Sequence, residues 1–95
     1  MKIEDIDYSG LPEHMRNGAK LYIESGILPG SFMTAIISND LATACATADS
    51  INKERIYEIC SWFYLMAPSD CYGSADKMYA WVNKKRLERK EKFTS

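Results

Sequence analysis

The run Ser25-Gly26-Ile27-Leu28-Pro29-Gly30-Ser31-Phe32-Met33-Thr34-Ala35-Ile36-Ile37-Ser38-Asn39-Asp40 decides the fold. Two clusters of helix breakers flank a short apolar segment, in which Phe32, Ala35 and Ile36 recur at helical spacing. Gly26 suits the left-handed residue that closes a preceding helix, and Ser31 reads as the N-cap of the next one. Asn39 and Asp40 stop that helix and restart the pattern. The alternation of a half-buried strand is missing.

The same grammar extends to both sides. Upstream, Pro12 sits where a first helical turn tolerates it, and the charge of Glu13 suits a helix N-terminus. Leu11, Met15, Ala19, Tyr22 and Ile23 then fall on one face. Downstream, Asp40 caps Leu41–Ala48, whose alanines and Cys45 permit close helix approach. Asp49 or Ser50 caps the strongest helix, with Ile56, Ile59, Cys60, Phe63 and Met66 in an apolar stripe flanked by Trp62 and Tyr64. Pro68 stops it. Ser74 caps a last helix that turns Met78, Trp81 and Val82 inward. Met1–Gly10 reads as extended, with Ile3, Ile6 and Tyr8 available to lie against the body.

These segments predict an all-α fold, a compact single domain of about five short helices. An extended N-terminal segment precedes them, and a basic helical tail follows. The predicted boundaries are 1–83 for the helical domain and 84–95 for the tail.

Ninety-five residues, 46% hydrophobic and 26% charged, suffice for one core and leave little for a deep preorganised cleft. The net charge of −1 argues against a whole-molecule nucleic-acid binder, yet it hides an asymmetry. Residues 1–50 carry three Lys/Arg against seven acids, a net of −4, and residues 51–95 carry nine against six, a net of +3. Cys45, Cys60 and Cys71 form an odd set without a Cys-x-x-Cys pair, so a reduced, cytoplasmic setting is expected. Met1–Gly10 lacks the basic-then-apolar order of a signal peptide, and no stretch offers the ~20 apolar residues of a membrane span.

Candidate chemistry is sparse. His14, the one histidine, has no His, Cys or Asp four residues on to form a metal pair, and reads as an exposed first-turn residue. Cys45 and Cys60 read as small core residues, and Cys71, in a loop, as the reactive one. Ser38-Asn39-Asp40 and Pro29-Gly30-Ser31 read as caps before they read as metal or phosphate sites. No metal, cofactor or catalytic residue is expected. Trp62 points about 100° away from Phe63, so it either covers another helix or anchors a partner.

From Leu11 to Trp81 the spaced motifs become specific. Leu11-Pro12-Glu13-His14-Met15-Arg16, Tyr22-Ile23-Glu24, Gly26-Ile27, Pro29-Gly30-Ser31-Phe32, Ser38-Asn39-Asp40-Leu41, Ala67-Pro68 and Gly73-Ser74 resemble a group of small phage and prophage proteins, over roughly residues 8–82. That group has no assigned activity, so the resemblance implies origin more than mechanism. Where such families carry a tryptophan between Cys71 and Gly73, this chain has Tyr72, and the basic tail is an elaboration of its own.

The expectation is a non-catalytic phage accessory protein that binds a host or phage protein stoichiometrically in the host cytoplasm. Inhibition of a host defence complex, in the manner of anti-CRISPR proteins, is one form of it. Trp62, Glu13, Asp40 and Tyr72 are the candidate contacts. The alternative is a nucleic-acid-associated regulator that uses Lys84, Lys85, Arg86, Arg89 and Lys90 of the tail.

Overall fold

The computed structural model describes residues 5–94, with side chains through Arg89. Among the described residues the fold is all-α: six α-helices and two 3-10 turns, with no strand. The helices are α1 (Glu13–Ser25), α2 (Ser31–Ile37), α3 (Leu41–Thr47), α4 (Ser50–Glu54), α5 (Ile56–Met66) and α6 (Ala75–Thr94). The 3-10 turns are Tyr8–Gly10 and Ser69–Cys71.

The N-terminal segment is only partly extended. Asp7 caps the turn Tyr8–Gly10 by accepting from the Ser9 amide, and Ile6 is buried. Arg16, reaching back from α1, donates through Nε to the Leu11 carbonyl at 3.0 Å and ties this segment down. Ile3 lies outside the described residues.

Met15, Ala19, Tyr22 and Ile23 are the buried face of α1, as their spacing requires. Gly26 ends the helix at φ 69°, and its amide donates to the Tyr22 carbonyl at 2.9 Å. The N-cap of α2 is Gly30 rather than Ser31, which is the first helical residue and makes no capping bond. The side chain that secures this entry is Thr34, whose Oγ1 donates to the Pro29 carbonyl at 3.1 Å.

Asn39 turns the chain at φ 63°, and Asp40 caps α3 by accepting from the Thr43 amide and hydroxyl. Only Ala44 of α3 is buried. The small residues therefore give one close contact with α2 and leave the rest of α3 exposed, Cys45 included. Asp49 caps α4, and a single non-helical residue, Arg55, separates α4 from α5.

Buried aromatic handles join the pieces. The Trp62 indole N–H donates to the Asp7 carbonyl at 3.0 Å, and the Tyr22 hydroxyl donates to the Cys71 carbonyl at 2.6 Å. Trp81 Nε1 donates to the carbonyls of Tyr22 and Ile23, near the end of α1, where helical partners run out. Each ring buries a large apolar body and spends its polar end on backbone far away in sequence.

Ser74 caps α6 by accepting from the Lys77 amide at 3.1 Å. Met78, Trp81 and Lys85 then form its buried face. The helix continues to Thr94 without a break at Asn83, so the predicted boundary between body and tail falls inside one element.

Candidate interaction surface

Turning α5 so that Ile59, Trp62 and Phe63 face inward sends a second arc outward, because each residue advances about 100°. Tyr57, Tyr64 and Leu65 occupy that arc and are 84%, 77% and 71% exposed. No charged residue falls between Ile59 and Ser69. Arg55 and Glu58, paired at 2.8 Å, border the face at its N-terminal end. Beside Tyr64 a groove of about 260 Å³ opens, lined also by Phe63, Tyr72 and Lys77.

Trp62 is not an exposed anchor, and this corrects the expectation for it. It is buried against the N-terminal segment, with its ring centroid 5.4 Å from that of Tyr8. A Cβ on Gly10 would come within 2.9 Å of the indole, so glycine there admits the ring. Tyr72 is half-buried and stacks on Phe63 at 5.8 Å, and Phe63 meets Trp62 edge-on at 5.0 Å. Of the predicted contacts, Trp62 and Tyr72 are thus brought to one aromatic cluster, and Tyr72 alone reaches the groove. Glu13 and Asp40 are exposed on separate elements, α1 and the N-cap of α3. Hydrogen bonds from the Thr43 hydroxyl and amide hold the Asp40 carboxyl below its ordinary range.

Reasoning from sequence missed the outward arc. Its signal is present, since Tyr57 and Tyr64 are seven residues apart and off the buried stripe.

The cysteines exchange roles. Cys71 is buried, its thiol donates to the Pro68 carbonyl at 3.1 Å, and burial pushes its pKa up to about 12. It is the least suited of the three to act as a nucleophile. Cys45, expected in the core, is exposed on α3, and burial raises the half-buried Cys60.

His14 is exposed, with Nε2 3.4 Å from Asp49 Oδ2. Among the described residues no group of three or more His, Cys, Asp or Glu is placed to hold a metal ion. No helix among them is long and apolar enough to cross a membrane.

The basic residues of α6 divide. Lys85 is buried, pairs with Glu88 at 3.2 Å and sets its ammonium 5.0 Å from the Trp81 ring centroid. It is therefore withdrawn from the set expected to meet nucleic acid. Lys84 is exposed and lies 5.2 Å from the same ring. Arg86 is exposed and Arg89 partly so, while the Lys90 side chain lies outside the described ones. Comparison of the chain with protein-family models, with curated proteins and with solved structures finds no match.

Proposed function

We propose that this chain is a non-catalytic protein that works by stoichiometric binding of another protein through the outer face of α5 and the adjoining groove. The observation that carries this reading is the exposure of Tyr57, Tyr64 and Leu65 on one face of α5, whose C-terminal part from Cys60 onward carries no charge. Single exposed apolar residues are ordinary, but two tyrosines two turns apart with an adjacent leucine have the composition of an interface centre. The phage and prophage resemblance of residues 8–82 suggests the setting, a host or phage protein as partner. Inhibition of a host defence complex is one form of binding open to a small protein.

The test is capture from bacterial lysate on the immobilised chain, beside a Tyr57→Ala, Tyr64→Ala, Leu65→Ala variant. The expected result is a stoichiometric protein partner, lost by a variant that melts as the parent does. A partner retained in full by the variant overturns the assignment of the face.

The second reading, nucleic-acid association through α6, is favoured by the continuation of that helix through its basic residues, which displays Lys84 and Arg86 to solvent. It predicts affinity that falls linearly with the logarithm of salt concentration.

A further inference from the structure

A second groove, of about 330 Å³, is formed by residues of α1, α2, α3 and α4. Met15 and Met33 are buried at its base and half-buried Phe32 forms a wall, while exposed His14, Ser31 and Thr47 form the rim. Asn52 also lines it, is 5% exposed, and has a side-chain Oδ1 with no hydrogen-bond partner among the described residues. Its backbone amide, rather than its side chain, donates to the Asp49 cap at 2.8 Å.

An orphaned buried acceptor costs a folded protein about 1–3 kcal/mol. Such groups in native structures call for an explanation, and ligand binding is one. Asn52 lines the groove, and the broad amide torsion of asparagine lets Oδ1 turn about Cβ–Cγ toward a group bound there. Thioethers and a phenyl ring favour an aromatic occupant, since sulfur packs well against ring edges. Among aromatic side chains, the indole carries a donor and no acceptor, which matches a lone carbonyl oxygen. The fold already uses this pairing twice, at Trp62 and Trp81.

We propose that this groove docks a tryptophan side chain of a partner protein, with the indole ring between Met15, Met33 and Phe32 and its N–H donated to Asn52 Oδ1. The assignment rests on no part of the α5 face, so either can fail without the other.

The probe is N-acetyltryptophanamide, titrated into the full chain carrying labelled methionine methyls. Saturable shifts of the Met15 and Met33 methyls are expected, with at least tenfold weaker binding of the analogue methylated at the indole nitrogen. Equal affinity of the two would mean that the indole N–H is not donated and would overturn the proposal, as would unmoved Met15 and Met33 signals. Tighter binding of free tryptophan than of the capped form would assign the groove to the amino acid and overturn docking. Asn52→Leu should melt no lower than the parent and lose the discrimination. The comparison of the two ligands on the unaltered chain decides the matter whatever the stability of that variant.

Discussion

Gly26 answers two demands at once. Its φ of 69° costs a residue with a Cβ about 1–2 kcal/mol, and a Cβ there would collide with Cβ of Lys85 and lie 3.3 Å from the Val82 carbonyl. Gly26→Ala should therefore combine backbone strain with overpacking of about 1–3 kcal/mol, a loss of roughly 8 °C or more in Tm. A melt within two degrees of the parent would show that α1 and α6 do not meet there. The cysteines give a second test at this scale. At pH 8 a thiol reagent should modify Cys45 first and reach Cys71 only after denaturation, because the folded Cys71 thiol stays neutral up to about pH 12. The helix-ending glycine was readable from its breaker cluster, but its contact with Lys85 was not, since 58 intervening residues separate the two in sequence. Cys71 misled for a related reason: a segment rich in breakers reads as loop, yet its turn folds inward and Tyr22 takes its carbonyl.

At the scale of the element, α5 tests its own phase. Phe63→Ala and Trp62→Ala should each cost about 3–5 kcal/mol through lost burial and a cavity, whereas Tyr64→Ala should fall within about 0.5 kcal/mol of the parent. Denaturant melts of the three variants check this, and a costly Tyr64→Ala would place the outer face inside. The stripe of Ile59 and Phe63 was legible because period 3.6 shows which side is most apolar. Trp62 was not, because the second buried arc is created by residues 6–10 lying across the helix, a pairing 55 residues apart with no local trace. The same gap hid the outer face: composition tells that α5 is largely apolar, and only the packing tells which arc stays uncovered. The aspartate cap of α3 was legible, the N-cap of α2 was not, and the aspartate caps contribute to the acid side of the stability profile. The Asp7 and Asp40 carboxyls are both held below their ordinary 3.8 by hydrogen bonds, to Ser9 and Thr43. Their contribution is present above pH 3.8 and lost as pH falls through the lower folded values. At the alkaline end burial raises Cys71 from 9 to about 12, so that contribution declines once pH passes about 9. Stability against pH should show a plateau between these limits, and Asp40→Asn should soften its acid edge.

For the whole molecule, the question is where the body ends. The chain measures 45 × 25 × 20 Å, and a 20-residue helix such as α6 runs about 30 Å. Its first half carries Met78 and Trp81 into the core, and Lys85 continues that face one turn later. The buried part of Lys85 is its aliphatic stem, set against Gly26, while its ammonium lies over Trp81 and reaches Glu88. Composition alone assigns this residue to a charged tail, since lysine is rarely buried. Removing residues 84–95 takes away this stem and uncovers both Gly26 and the Trp81 ring. Removing residues 90–95 keeps them covered. The chain ending at Asn83 should melt several degrees below the parent, and the chain ending at Arg89 should melt close to it. Lys85→Met, which keeps most of the stem and drops the charge, should resemble the parent if packing is what matters. In binding, the chain ending at Arg89 should keep a protein partner held by Tyr57, Tyr64 and Leu65 and should show little response to salt. A chain ending at Asn83 that melts like the parent would place Lys85 outside the body. A partner lost on removal of residues 90–95 alone would move the binding surface from α5 to the end of α6.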